Sequence, residues 1–425
     1  MAEGRAELAS ADPIKVLHLI DGLGGGGSER WVWDIVRLSQ PTLCKHFVIT
    51  FFPDNATFVY SEPLRSRGAY GQPVHHPLLD WLGRGIQAAA SRPYLMPVRK
   101  GFSGLWWLVN AVDVWWRVAA ALVRRRPNVI HVHTFHGLRV GLLLRRILQI
   151  PLVHSVPALF SQMTDAGFHG MPQLYRSNQR WIARFITGAS VGELRSIGIP
   201  DDKIMPIHGT VDLTASTSVR NQKQNYYAAL RRKLKLPGDA LIALSVGRLH
   251  PSKGHAFALE AVPELVAQFP QLHWVVLGEG EQRQALEARA TELKVRGHVH
   301  LLGFQRDPLP YYAGADIYLR TPVFESENLS SYQAMAMGLP VVGFDTGCET
   351  ELLVKSGHGV LVPTKNSDAL ARAVTEILNL PDRGARIGAR GAQYCGEHLD
   401  VTRTLSELSD LYHRVVKNED AIAGP

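Results

Sequence analysis

The sequence predicts an α/β protein of two doubly wound domains. Three observations carry that expectation. Apolar runs of strand length alternate with longer helical patterns in both halves of the chain, and strands separated by helices imply right-handed crossovers into a parallel sheet. The 425 residues are 46% hydrophobic and contain no low-complexity tract, which suits two packed cores in domains of about 200 residues each. Glycine-bearing turns follow the first strand of each half, and sheets of this kind bind ligands at the carboxyl ends of their strands.

In the first half, residues 15–20 read as the opening strand, followed by a glycine-rich turn over 21–30 and a helix to about Leu38. A strand is expected at 46–52, a long helix at 105–126, a strand at 128–132, a helix at 138–148 and a short strand at 151–156. A polar Ser/Thr/Asn-rich stretch marks the boundary. The expected division is an N-terminal domain over 1–212, a linker over 213–224 and a C-terminal domain over 225–395. The tail, 396–425, carries a last helix at about 401–416 that crosses back to the N-terminal domain.

The second half opens on an uninterrupted apolar run, 241–246, as expected of a parallel strand covered on both faces. Gly247 lets the backbone turn tightly. Arg248 offers a planar fork of donors and Lys253 a compact charge, a pair suited to the oxygens of a diphosphate. Pro251 and Gly254 punctuate the loop before a helix starting near His255, whose free N–H groups would add to an anion site. These residues alone fit a solvated turn equally well.

A second constellation, Phe324 to Asp345, decides between the two. It contains Glu325 and the run Ala334-Met335-Ala336-Met337-Gly338-Leu339-Pro340-Val341-Val342. With Gly247, Arg248, Lys253 and Gly254 it resembles the donor domain of the family 4 glycosyltransferases of GT-B architecture. The segments 275–280, 301–304, 312–316 and 345–351 fit the same pattern, so the likeness covers 240–380. It implies two Rossmann-like domains facing a cleft. It also implies a nucleotide-sugar donor held by Gly247, Arg248, Lys253, Gly303, Phe304, Glu325, Asn328, Leu329 and Gln333, with Glu325 facing the transferred sugar.

The chain departs from the family pattern at two places. Gln333 stands where a second Glu accepts hydrogen bonds from the nucleotide ribose, and Ser326-Glu327-Asn328 replaces a Gly-x-Gly. An amide oxygen accepts such a bond more weakly than a carboxylate, by roughly 1 kcal/mol. Asn328 suits the N-cap of a helix over 329–337 closed by Gly338 and Pro340. That helix would aim its positive end at the donor phosphates.

In the N-terminal half, Gly22-Leu-Gly-Gly-Gly-Gly27 satisfies a dinucleotide fingerprint in form. The next strand ends at Phe52 without the carboxylate that a nicotinamide cofactor needs, since Asp54 lies beyond it. The resemblance gives Gly24, Gly25, Gly26 and Gly27 another role, an acceptor-side loop approaching the donor phosphates. His131, His133 and His136 have the look of metal ligands, but the resemblance puts a His-x-His at a strand end opening into the cleft, and no metal ligand is expected. No Asp-x-Asp occurs in the chain, so side-chain cations must neutralise the leaving diphosphate and no metal or other cofactor is expected. The family's base or acceptor-positioning His falls on Pro157, with His154 three residues earlier as the substitute candidate.

A net charge of +8 favours anionic partners. Nucleic acid is not expected, because the basic residues are scattered and no binding module is present. Cys44, Cys348 and Cys395 form neither a disulfide framework nor a zinc motif. No secretory signal is read at the N-terminus, and a cytoplasmic enzyme is expected. The stretch 101–123 is broken by Asn110, Asp113 and Arg117 and does not span a bilayer. Its Trp106, Trp107, Trp115 and Trp116, followed by Arg124-Arg125-Arg126, suit a helix packed on the sheet or lying on the anionic inner face of a membrane. The expected function is a retaining, metal-independent glycosyltransferase acting on a saccharide or lipid-linked saccharide acceptor. A GT-B sugar epimerase or phosphorylase, or an inactive nucleotide-sugar-binding partner, is the alternative.

Overall fold

The computed structural model describes residues 12–21, 27–51, 64, 66–67, 69, 118–156, 170–187, 191–207, 210–323, 325, 329–346, 353 and 357–418. The first sheet consists of β1 (Ile14–Ile20), β2 (Cys44–Thr50), β3 (Val129–Val132), β4 (Leu152–Ser155), β5 (Arg184–Thr187) and β6 (Ile204–Pro206). They lie in the order β2-β1-β3-β4-β5-β6, every pair parallel. Helices α1 (Gly27–Leu38), α2 (Phe135–Leu148), α3 (Met171–Asn178) and α4 (Val191–Ser196) accompany it, and residues 118–125 are helical. Thr134 caps α2 by accepting from Gly137 N, and Gln149 closes it in the left-handed conformation.

The second domain begins with α5 (Leu213–Arg220) and α6 (Lys223–Leu234). Its strands are β7 (Leu241–Val246), β8 (Leu272–Leu277), β9 (Val299–Leu301), β10 (Ile317–Arg320), β11 (Val341–Asp345) and β12 (Gly359–Pro363). Its helices are α7 (His255–Gln268), α8 (Arg283–Glu292), α9 (Leu309–Gly314), α10 (Leu329–Ala336), α11 (Ser367–Asn379) and α12 (Ala385–His398), before the terminal α13 (Val401–Asn418). The strand order β9-β8-β7-β10-β11-β12 reverses direction between β7 and β10. A doubly wound sheet opens its ligand crevice at that point. The mainly apolar sequences of the central strands follow from two-sided burial: β8 is buried at every position. Trp274 is fully buried, and its indole donates to Ser245 Oγ at 3.0 Å. Truncating such a residue costs about 3–5 kcal/mol.

The segment expected as a linker is helical and belongs to the second domain. Arg231 of α6 is buried and donates to Ala240 O at 2.9 Å, to Gly314 O at 2.8 Å and to Asp316 Oδ2 at 2.7 Å. A buried guanidinium satisfied in this way fixes α6 to the amino ends of the central strands β7 and β10. The chain crosses between domains earlier, since Ile207 joins the first core and Val211 the second. It returns near Asp400, where Val211 N donates to Leu399 O at 3.0 Å and Val401 N donates to Val211 O at 3.1 Å. The two crossings are thus bonded to each other. Leu408, Leu411, Tyr412 and Val415 of α13 pack into the core of the first sheet. Trp106, Trp107, Trp115, Trp116 and Cys348 lie outside the described residues, while Cys44 and Cys395 are buried free thiols. Among the described residues, no helix is long and apolar enough to cross a membrane.

Candidate functional site

The loop after β7 is pinned from both sides. Leu249 is fully buried, and its N–H donates to Glu279 O at 2.9 Å in the loop after β8. Further on, Val323 N donates to Ser252 O at 2.8 Å, joining this loop to the one after β10. Gly254 has φ of 62°, and a Cβ there would sit 1.9 Å from Thr321 O. Only glycine permits that approach. The loops at the reversal point of the second sheet therefore form one bonded unit.

Lys253 Nζ donates to Glu325 Oε2 across this unit, with both side chains partly shielded from solvent. Arg248 projects from the same loop and is exposed. Leu329 and Ser330 open α10, and Ser330 Oγ donates to Val246 O at 3.2 Å, setting the start of the helix against the end of β7. Gly303, at φ +76°, pairs with Gly278 after β8, and Phe304 beside it is 45% exposed. Arg248, Lys253, Glu325, Leu329, Gly247, Gly303 and Phe304 are thus brought to the carboxyl end of the second sheet. Their chemistry is that of an anion site, two cations and one carboxylate around a helix start. Gly24, Gly25, Gly26 and Asn328 lie outside the described residues, and Gly27 opens α1.

Gln333 of α10 reaches across to α5. Its amide Nε2 donates to Ser216 Oγ at 2.8 Å. Ser216, buried in α5, donates in turn to Asp212 O at 2.7 Å. Asp212 caps α5 through Ala215 N and binds Arg37 of α1 at 2.9 Å. One of the two amide hydrogens is thereby committed to Ser216.

His131 lies in β3 and His133 directly follows its carboxyl end, and both are buried in the first sheet. His18, His131 and His133 are at most 1% exposed and His46 is 8% exposed. The side chain of His136 is outside the described residues. His154 is also fully buried, with Nε2 2.7 Å from Tyr175 Oη and Nδ1 3.1 Å from Val132 O. Burial lowers its pKa to about 4. Both nitrogens are engaged inside the core, so His154 is not brought to the group around Arg248. Tyr175 of α3 and Phe185 of β5 close around this ring, contacts that no local sequence pattern announces.

Two residues were given no role in the sequence. Glu29 lies in the first turn of α1, and burial raises its carboxyl pKa while the charge of Arg248 opposes the shift. The first domain therefore presents a carboxylate within electrostatic reach of the donor-side loop. His255, the first residue of α7, is buried beneath Gly247, and its ring nitrogens lack hydrogen-bond partners of good geometry. Burial, with help from Lys253, lowers its pKa to about 4. Its position directly after Lys253-Gly254 was the available signal.

Comparison with known proteins agrees with this architecture. Residues 227–394 match the model for glycosyl transferases group 1, and residues 45–208 match that for the glycosyl transferase 4-like domain. The chain is 30% identical over 161 residues to the lipopolysaccharide core biosynthesis glycosyltransferase LpsE of Rhizobium meliloti, covering 38% of this chain and 46% of LpsE. It is 27% identical over 328 residues to D-inositol 3-phosphate glycosyltransferase of Streptomyces bingchenggensis, covering 71% of this chain and 70% of that one. Among solved structures, HepE of Anabaena, in complex with UDP and glucose, superposes with a TM-score of 0.69 at 18% identity, over 94% of this chain and 99% of HepE. That likeness shows a shared fold. The two models account for the two Rossmann-like domains in turn, and the chain belongs to the glycosyl transferases group 1, with GT-B architecture.

Proposed function

We propose that this protein is a retaining glycosyltransferase that moves a sugar from a nucleoside-diphosphate sugar to a saccharide or lipid-linked saccharide, with no metal at the donor phosphates. The observation that carries this reading is the convergence of Arg248, Lys253 and Glu325 at the reversal point of the second sheet. Two cations there can oppose the charge that develops as the diphosphate leaves. Lys253 is held by Glu325, so an arriving diphosphate meets an oriented ammonium. Glu325 stands where a carboxylate would face the sugar. In front-face transfer the acceptor oxygen bonds to the anomeric carbon on the side the phosphate leaves, and the acceptor proton passes to that phosphate. His154 has no part in this scheme.

The complex of HepE with UDP and glucose supports a nucleoside-diphosphate donor, and the name of LpsE supports a saccharide acceptor on a lipid. Peripheral membrane association belongs to the same reading. Leu143 and Ile147 of α2 are 43% and 65% exposed and Val123 is 74% exposed, with Arg124, Arg126 and Arg139 exposed beside them. Mixed apolar and basic surface of this kind suits an anionic bilayer.

A thermal-shift panel of nucleoside diphosphates and their sugars, followed by product detection with the donor that binds, tests the proposal. Ligand at a hundred times its Kd stabilises by about 2.7 kcal/mol. Binding with sugar transfer to an acceptor supports the reading. Binding without any turnover would instead assign an inactive sugar-binding partner, and phosphorolysis or epimerisation would assign the alternative activities.

A further inference from the structure

Parallel pairing of β1 and β3 sets His18 directly beside His131, and the two-residue period of a strand puts His133 on the same face. We propose that His18, His131 and His133 form a binding site for a late first-row transition-metal ion, buried in the first domain and independent of the donor site. One ring nitrogen from each lies within 4.8 Å of the others. His18 Nδ1 and His133 Nε2 approach to 2.8 Å. Two metal–nitrogen bonds of about 2.0–2.1 Å at a tetrahedral angle hold their nitrogens about 3.3 Å apart. The His18–His133 pair needs to open by only about half an ångström, and the His131 nitrogen to draw in from within 4.8 Å, to admit an ion.

The surroundings suit ligation. His18 Nε2 is 2.9 Å from His46 Nδ1, so His18 can bind through Nδ1 while donating its N–H to His46. His131 Nδ1 is 2.7 Å from Tyr412 Oη, and its Nε2 is 2.9 Å from Ser155 Oγ. Either hydroxyl can release one nitrogen while the other accepts the remaining N–H. Such outer partners orient metal-bound imidazoles.

The arrangement is hard to explain as packing. His133, His18 and His46 form a row of three imidazoles joined by two N···N hydrogen bonds. Each neutral ring carries one N–H, so in either direction the row ends in a buried N–H with nothing to donate to. The two end atoms, His133 Nδ1 and His46 Nε2, are buried without partners among the described residues. Apolar residues would avoid that cost. An all-imidazole set with no carboxylate selects zinc, copper, nickel or cobalt over magnesium or calcium.

The test uses untagged full-length protein expressed in medium supplemented with zinc or cobalt and then desalted against a weak chelator. About one ion per chain is expected. The cobalt form should show the visible absorption of a low-coordinate nitrogen site. His18→Phe and His133→Phe should each lower retained metal at least tenfold, whereas His300→Gln, in the separate histidine group of the second domain, should not. Where those variants do not fold, the metal content and cobalt spectrum of the unaltered protein decide. Folded protein retaining less than a tenth of an equivalent would overturn the proposal, as would metal that persists in His133→Phe but is lost in His300→Gln.

Discussion

The carboxamide of Gln333 donates to Ser216 Oγ at 2.8 Å, and that hydroxyl is already committed to the carbonyl of Asp212. A carboxylate at 333 would set an acceptor against an oxygen whose proton points elsewhere. Gln333→Glu should therefore lower stability by about 1–2 kcal/mol, read as a fall in melting temperature. Ser216→Ala in the same background should recover most of the loss. Donor affinity should change by no more than a few fold, since an oxygen that can accept from the ribose is present in both residues. A loss of donor binding above tenfold, measured by calorimetry, would mean that the amide hydrogens serve the nucleotide and not Ser216.

Arg248 and Lys253 differ in how they are held. Arg248 is exposed, so Arg248→Ala should leave the melting temperature unchanged while lowering kcat/KM roughly ten- to hundredfold, the loss of about 1.5–3 kcal/mol of charge-assisted bonding. Lys253→Ala also removes an ion-pair partner of Glu325 and should cost stability as well as rate. Adding Glu325→Gln should restore the stability and not the rate. Unchanged turnover in Arg248→Ala would remove this loop from the reaction.

How far the sequence could be read depended on whether a residue's partner was local. The run 241–246 announces its own burial, and Gly247 to Gly254 carries its turn within the loop, so β7 and the start of α7 were expected where they occur. Gly254 was read as punctuation, but its necessity comes from Thr321 O, a contact that only the fold creates. His154 was misjudged for the same reason, because Tyr175 closes over it from another element. Gln333 shows a subtler limit: its place on the helix was legible, and the direction of its amide depended on Ser216 in a segment read as linker. The polar composition of that segment reflects exposed helix faces, with Arg231 tying α6 to the sheet.

His255 makes the stability of the second domain depend on pH. Its folded pKa, about 4, lies below the 6.5 of an exposed imidazole. Between these values the unfolded chain holds a proton that the folded chain does not, so stability falls as pH drops from 6.5 toward 4. The slope for one such group is about 1.4 kcal/mol per pH unit. Relative to His255→Phe, the unaltered protein should lose about 2 kcal/mol between pH 7 and pH 5 in urea titrations. Parallel curves for the two proteins would show that the ring is solvated.

Transfer should survive a short exposure to chelator, since the chain has no Asp-x-Asp and two cations stand at the expected phosphate position. Initial rates with and without EDTA measure this. Loss of activity that added magnesium restores would point to carboxylates holding a cation at the donor.

The exposed apolar and basic side chains of the first domain predict a salt-sensitive membrane contact. Residues 118–125 and α2 pack on the same core and run toward the amino ends of the strands, away from the ligand-binding ends. A bilayer bound there leaves the cleft open. Basic residues near an anionic surface each contribute about 1 kcal/mol, and Ile147 and Val123 add apolar burial. Binding to anionic vesicles should be strong at low salt and weaken as the Debye length shrinks. Ile147→Asp with Leu143→Asp should abolish it, while transfer to a water-soluble acceptor continues. If the double variant co-sediments as well as the unaltered protein, the contact lies elsewhere. If neither binds at low salt, a soluble acceptor becomes the better assignment.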